Sequence, residues 1–222
     1  MYLILIGLSV FSCGKDEPHS VLKFYDSYYP LESGVYVDYY VQEINHDDLS
    51  ATPHDTSFYF LRTLIEDTLV DNQGRITYKY IRMIRSNINE DWQISDVWTT
   101  LNNNHKIELI EENRRMVKLI LPPTNYAVWD ANVYNAMDEM NCYYEAIHDP
   151  FQINSIEFDS SVTVQQENIL NLVEYKRKYE VYANHVGLVK KQFKDLIISN
   201  FDTLNITSGH ELTLNCIGFG IQ

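Results

Sequence analysis

The strongest constraint on the fold is a two-residue alternation of apolar and polar side chains that recurs along most of the chain. Its longest example alternates four apolar residues with charged ones: Val173, Tyr175, Tyr179 and Val181 against Glu174, Lys176, Lys178 and Glu180. The stretches 35–41 and 76–84 repeat the pattern. Because successive side chains of a β-strand point to opposite faces, the pattern predicts strands with one buried and one wet face.

Polar turns separate these strand-like segments, for example Asp71-Asn72-Gln73-Gly74 and Asn102-Asn103-Asn104. The longest helix candidates, 165–173 and 195–201, lack an apolar stripe with caps. We therefore predict an all-β fold: a single antiparallel domain of ten or more strands over residues 29–222, with little helix. Its architecture is either a sandwich or a curved sheet approaching a half-barrel.

The first twelve residues are uncharged, mostly apolar, and end in a small residue. The run Tyr2–Phe11 is shorter than the roughly 20 residues that span a bilayer. Followed by Ser12 and a charged segment, it is typical of the core of a secretory signal peptide, with a buried strand as the alternative. Since no Lys or Arg precedes Cys13, we expect the natural start codon to lie upstream.

The junction at Cys13 resembles the lipobox of bacterial lipoproteins. Val10 and Ser12 match its aliphatic and small positions, whereas Phe11 is bulkier than the usual middle residue. The resemblance implies that Cys13 becomes the mature N-terminus and carries a diacylglycerol and an N-acyl chain, including palmitate-type chains. More than one chain gives stable membrane anchoring.

The next residues resemble the surface-export signal of Bacteroidetes-type lipoproteins. Gly14, Lys15, Asp16 and Glu17 match its pattern of any residue, one Lys and two acidic residues. The resemblance implies an outer-membrane protein on the cell surface, joined to the domain by a tether over residues 13–28. A solvated tether without a sorting role, and a periplasmic location, are the alternatives.

The charge of the chain limits its partners. It has 17 Lys and Arg against 31 Asp and Glu, which gives a net charge of −14. So acidic a chain repels nucleic acid and anionic lipid surfaces, so we expect no nucleic-acid partner. The lipid anchor, rather than charge, would hold it to the membrane.

Two cysteines remain besides Cys13. In an exported chain, Cys142 and Cys216 could form a disulfide, because that compartment is oxidising. The alternative is a pair of buried free thiols that pack as small apolar groups.

The chain offers little catalytic chemistry. It contains no phosphate-binding glycine motif and no nucleophile elbow, so we assign no catalytic residue, no metal site and no cofactor. His46-Asp47-Asp48 and His54-Asp55 could offer metal ligands, but without fixed ligand spacing a solvated acidic loop is the preferred interpretation. His148-Asp149-Pro150 predicts a turn.

Seventeen tyrosines suggest either a β-core or a binding surface. The pairs Tyr28-Tyr29, Tyr39-Tyr40 and Tyr143-Tyr144 place successive rings on opposite faces of any strand they join. One ring of each pair can therefore face solvent and offer a platform for a sugar or a protein.

From Tyr29 onward the chain resembles a group of uncharacterised Bacteroidetes lipoproteins. The shared features are Tyr29-Pro30-Leu31-x-x-Gly34, Asp96-Val97-Trp98, Trp129-Asp130-x-Asn132-x-Tyr134-Asn135 and, most specifically, Glu180-Val181-Tyr182-Ala183-Asn184-His185-Val186-Gly187-Leu188-Val189-Lys190-Lys191. His185 departs from the usual small turn residue. The resemblance implies a cellular location and a fold class but no established activity.

These observations favour a non-catalytic, lipid-anchored β-domain of the cell envelope that binds a protein or glycan partner. The second hypothesis is a carrier, in which a curved sheet encloses a lipid or another apolar ligand. A hydrolase is the weakest hypothesis, because no set of catalytic residues is evident.

Overall fold

The computed structural model describes residues 25–222. After a 3-10 turn at Asp26–Tyr28 come twelve strands: β1 Val35–Asp47, β2 His54–Val70, β3 Ile76–Arg85, β4 Gln93–Asn103, β5 Lys106–Glu111, β6 Arg114–Ile120, β7 Val128–Asp130, β8 Asn141–Ile153, β9 Ile156–Leu170, β10 Glu174–Ala183, β11 Gly187–Ser199 and β12 Asp202–Ile221. The predicted signal peptide, Cys13 and the export residues Gly14 to Glu17 lie outside the described residues.

All twelve strands form one antiparallel sheet in the order β6-β5-β4-β3-β2-β1-β12-β11-β10-β9-β8-β7. Within the described residues, strands that neighbour in the sheet also neighbour in sequence, except β1 and β12. These two pair in register from Val35 with Ile221 to Asp47 with Ser208. The all-β prediction is confirmed, and the curved-sheet alternative is the one observed.

The sheet curls until its edge strands β6 and β7 meet, so that the barrel is nearly closed. The Val117 N–H donates to the Ala131 carbonyl at 2.9 Å, and the Trp129 indole N–H donates to the Val117 carbonyl at 3.0 Å. The Tyr144 hydroxyl donates to the Ile120 carbonyl at 2.6 Å. We call this contact the seam. The seam satisfies backbone N–H and C=O groups at the sheet edge that could otherwise pair with a strand of another chain.

Because the strands alternate in direction, the connections fall at two ends. The lower end holds residues 25–34 and the β2–β3, β4–β5, β8–β9 and β10–β11 turns; the upper end holds the β1–β2, β3–β4, β5–β6, β9–β10 and β11–β12 connections. Two clusters of buried apolar side chains fill the fold. One includes Tyr29, Leu119, Trp129 and Val162, and the other includes Tyr39, Leu61, Val189 and Leu214.

The segment before β1 closes the lower end, which corrects the predicted boundary at residue 29. Tyr28, assigned to the tether, is only 1% exposed. Its hydroxyl lies 2.5 Å from Nδ1 of His148 and 2.6 Å from Oγ of Ser160. Burying a large ring with a satisfied hydroxyl is favourable, so this segment belongs to the domain.

One local expectation differs from the structure. The turn predicted at His148-Asp149-Pro150 lies inside β8, where His148 has φ 61° and the pairing with β9 shifts register. The prediction of little helix is confirmed: residues 165–173 and 195–201, which lack an apolar stripe with caps, lie in strands and their connections. The described residues contain no helix long and apolar enough to cross a membrane.

Candidate functional site

The β10–β11 hairpin carries the most specific sequence motif and directs it into the barrel. Its turn is tight: His185 takes φ 62°, and its N–H donates to the Ser27 carbonyl at 2.7 Å. Asn and His tolerate this left-handed conformation better than branched residues do. Across the hairpin Glu180 pairs with Lys191, so both side chains lie on the same face of the sheet.

That face lines a cavity of about 60 Å³ inside the barrel. We call it the chamber. Its wall combines charged and aromatic side chains with leucines: Tyr80, Arg82, Trp98, Leu109, Glu111, Lys118, Glu180, Tyr182, Lys191, Leu212 and Leu214 are among its lining residues. The mouths of β-barrels are common positions for ligand sites, and converging polar groups in a cavity favour one here.

An ion cluster stands at the centre of the chamber. The Lys118 ammonium lies 2.7 Å from one oxygen of Glu180, and the Tyr182 hydroxyl donates to the other oxygen at 2.6 Å. The Lys191 ammonium is 3.8 Å from Glu180. The Glu180 and Lys118 side chains are 1% and 9% exposed, so little solvent screens their interaction.

Burial and pairing act in opposite directions on these groups. Burial alone would raise the pKa of Glu180, but Lys118, Lys191 and the hydrogen bonds lower it to about 2. Burial would lower the pKa of Lys118, yet Glu180 and Glu111 raise it above the ordinary value. For Lys191 burial prevails over Glu180 and the pKa is lowered. Lys191 is therefore the least compensated cation of the chamber.

Aromatic rings form the opposite wall. Tyr80 and Trp98 stack with centroids 6.2 Å apart and planes 6° from parallel. The Arg82 guanidinium lies 4.5 Å from the Trp98 ring and donates to Asp96 at 2.9 Å. A flat ring pair beside cations suits a ligand that both stacks and accepts hydrogen bonds.

The same face continues upward into a polar mouth. The Lys178 ammonium is 4.6 Å from the Phe193 ring, and Phe193 contacts His210 with ring centroids 5.6 Å apart. His210 lies 2.9 Å from Glu43, which accepts a hydrogen bond from Tyr59 at 3.3 Å. Charged and aromatic side chains therefore occupy this face of the sheet between the chamber and the upper end.

The outward face of the sheet carries a second group of rings and guanidinium groups. Arg62 lies 4.2 Å from the Tyr36 ring and 4.9 Å from Trp92, and Arg85 lies 4.2 Å from Trp92. Asp38 accepts two hydrogen bonds from Arg62, at 2.6 and 2.7 Å. Arg62 is therefore paired within this outer group, whereas the Arg85 Nε atom has no hydrogen-bond partner among the described residues.

The tyrosine pairs behave as predicted in two cases of three. Tyr39 is buried while Tyr40 is exposed, and Tyr144 is buried while Tyr143 is exposed. For the third pair the prediction is wrong: both Tyr28 and Tyr29 are buried, because they lie in the segment that closes the lower end rather than in a strand.

The structure does not join Cys142 and Cys216; both are free and buried. They lie in β8 and β12, which β9, β10 and β11 separate, and in different core clusters. The buried-thiol alternative is therefore the observed one. Burial raises the pKa of Cys142 to about 12 and that of Cys216 to about 11, so neither is a reactive thiolate.

The structure brings together the two histidines that were considered as metal ligands, but it does not bring the Asp side chains beside them in sequence into a metal site. His46 and His54 face each other across β1 and β2 with their Nδ1 atoms 2.9 Å apart, and His46 Nε2 is 3.2 Å from Glu211. Among residues 25–222 no group of three or more His, Cys, Asp or Glu side chains is placed to hold a metal ion.

Sequence reasoning missed most of the chamber. The sequence could have pointed to Lys118, because Lys118 is the one charged residue in the apolar stretch Met116–Leu121. A lone buried Lys calls for a carboxylate partner. Trp98 was noted as part of a motif but not as a chamber residue.

Comparisons with known proteins add no relative. No protein-family model matches the chain. No curated protein and no solved structure matches it either.

Proposed function

We propose that the chain is a non-catalytic binding domain of the cell envelope, anchored through a lipid at Cys13, whose partner is a glycan or a protein. The observation that carries the binding role is the chamber, where Lys191 and the Tyr80–Trp98 stack face the same cavity. Within this proposal an acidic glycan fits best: the chamber is too small to enclose a sugar ring, but it is partly open, so a carboxylate of the glycan can pair with Lys191 from the solvent side.

The carrier hypothesis is less well supported by the same geometry. Ligand pockets usually measure roughly 300–1,000 Å³, whereas the chamber measures about 60 Å³ and the neighbouring apolar cavity bounded by Tyr39 and Leu188 about 30 Å³. Two clefts of about 430 and 330 Å³ lie at the lower end, and Glu32 and His185 line both of them. An acyl chain would also have to pass buried ions, which is costly.

Binding is tested with residues 25–222 on an array of neutral and uronic-acid oligosaccharides. We expect retention of acidic oligosaccharides, and a loss of affinity of about tenfold or more in Trp98→Ala and in Lys191→Gln. Trp92→Ala is the matched control, because that indole lies on the outer surface beside Arg62 and Arg85.

The array also separates the alternatives. If Trp92→Ala loses binding and Trp98→Ala does not, the outer surface is the site. If no oligosaccharide is retained, photo-crosslinking at the chamber mouth in intact cells tests for a protein partner. Failure of both would refute the binding proposal.

The anchor and its location need a separate experiment. In cells given labelled palmitate, the wild type should become labelled and Cys13→Ala should not. Protease added to intact cells should remove the wild-type protein if it lies on the surface. Protection until the outer membrane is lysed would place it on the periplasmic face.

A further inference from the structure

Five large apolar side chains are exposed together at the upper end of the barrel. They lie where the β9–β10 and β11–β12 connections run side by side, and we call them the apolar tip: Leu170, Leu172, Val173, Phe201 and Leu204. Leu204 is 90% exposed. Single exposed apolar residues are ordinary, but a contiguous group of them marks an interaction site.

The backbone of the tip is held in place by hydrogen bonds. The Phe201 N–H donates to the Leu172 carbonyl at 3.5 Å, and the Ile198 N–H donates to the Val173 carbonyl at 2.9 Å. The Asn171 side-chain oxygen accepts the Val173 N–H at 2.9 Å. The five side chains are therefore presented on a backbone that is held by hydrogen bonds between the two connections and within them.

The charge around the tip differs from that of the rest of the chain. Residues 168–173 and 200–206 contain a single charged residue, Asp202, whose carboxylate accepts the Leu204 N–H at 3.0 Å. The lysines behind the tip are paired with carboxylates: Lys176 with Glu174 and Asp195, Lys178 with Glu167 and Asp195, and Lys194 with Glu211. Arg177 is exposed, and its guanidinium lies 5.5 Å from the Tyr179 ring.

Aromatic and basic groups follow directly behind the apolar residues. Tyr175 and Arg177 come two and four residues after Val173, which corresponds to roughly 7 and 13 Å along a strand. The Lys194 ammonium lies 6.0 Å from the Tyr175 ring, but it is paired with Glu211 at 2.5 Å. An apolar end backed by an aromatic ring and an exposed Arg is an arrangement that suits the acyl and headgroup layers of a bilayer.

We propose that the apolar tip inserts into the surface of a phospholipid bilayer, with Tyr175 and Arg177 at the level of the lipid phosphates. A bilayer suits the tip because its five exposed apolar side chains come from two adjacent connections that contain a single charged residue, Asp202. The contact is independent of the anchor. β12 runs from the tip to the lower end, so the tip and the segment entering at Tyr25 lie at opposite ends of the barrel.

The test is flotation of residues 25–222 with phosphatidylcholine vesicles. This fragment contains every described strand and both core clusters, and its folding is checked first by circular dichroism and a cooperative melt. We expect the wild type to float with the vesicles and Leu204→Glu to partition at least about tenfold less. Leu49→Glu is the matched control: Leu49 is 92% exposed in the β1–β2 connection at the same end, and the substitution adds the same charge.

A second readout reports depth. Trp introduced as Phe201→Trp should shift to shorter emission wavelengths with vesicles and be quenched by brominated acyl chains. A wild type that stays with the soluble fraction, a Leu204→Glu variant that floats like the wild type, or equal losses in Leu204→Glu and Leu49→Glu would each overturn the proposal. Capture of an envelope protein through the tip, without vesicle binding, would overturn it in favour of a protein surface.

Discussion

The buried pair between Lys118 and Glu180 should make an unusually large contribution to stability for an ion pair. Their charged atoms are 2.7 Å apart with side chains 9% and 1% exposed. Lys118→Met leaves the Glu180 carboxylate buried, with Lys191 at 3.8 Å as its remaining cation. Breaking a buried pair from one side costs about 3–5 kcal/mol, whereas replacing both partners costs far less.

A double-mutant cycle measures this coupling. We expect Lys118→Met and Glu180→Gln each to lower the free energy of unfolding by about 3 kcal/mol or more. The double variant should lose no more than either single one, which gives a coupling energy of about 3 kcal/mol by urea unfolding at pH 7. The matched control is the exposed pair Lys79–Glu66, whose coupling should stay below about 1 kcal/mol.

The dependence on pH gives an independent check. The pKa of Glu180 is about 2 when folded, against 4.5 for the free side chain, so its charged form stabilises the fold above pH 4.5 by about 3 kcal/mol. That stability is lost as pH falls from about 4.5 to about 2. The stability gap between wild type and Glu180→Gln should therefore narrow over this range. A gap that stays constant with pH, or a coupling energy below about 1 kcal/mol, would refute the reasoning.

Three further outcomes follow from the structure. Cys142 and Cys216 should both be free thiols by mass spectrometry without reductant, and should react with Ellman's reagent only after unfolding, because burial raises their pKa values. Gly209→Ala should lower the free energy of unfolding by more than about 2 kcal/mol, because a Cβ there would lie 2.3 Å from the Asp195 carbonyl oxygen. Gly74→Ala is the control: Gly74 also has positive φ but lies in open space, so the substitution should cost about 1 kcal/mol. Tyr144→Phe should lower the free energy of unfolding by about 1–2 kcal/mol and speed amide exchange in β6, because the Tyr144 hydroxyl hydrogen-bonds both the N–H and the carbonyl of Ile120. Tyr143→Phe, at an exposed position, should change neither quantity.

The strands were predictable because their signal is local. A stretch such as Val173–Val181 reveals its period within nine residues, and the turn at Asn184-His185 follows from residues that accept positive φ. His148-Asp149-Pro150 was not predictable in this way. The pairing with β9 holds it in a bulged strand, and no local pattern reports that pairing.

The chamber was harder to predict because its members come from distant strands. Lys118 and Glu180 are 62 residues apart in sequence, and their meeting depends on the closure of β6 against the far side of the barrel. Trp98 was recognised in a motif, but the alternation that places it on a strand does not say which face turns inward. The sequence shows the apolar residues of the tip, but it does not show that the β9–β10 and β11–β12 connections lie side by side and so bring them together.

The pairing of β1 with β12 gives the last twenty residues a decisive part in assembly. Each of the other neighbouring strand pairs in the described sheet is a local hairpin and can form early, whereas this pair joins residues 35–47 to residues 208–221. A chain stopped before Asp202 would hold two separate half-sheets with β1 and β11 as unprotected edges. Such edges invite pairing with other chains, so truncated or slowly completed molecules should aggregate rather than fold.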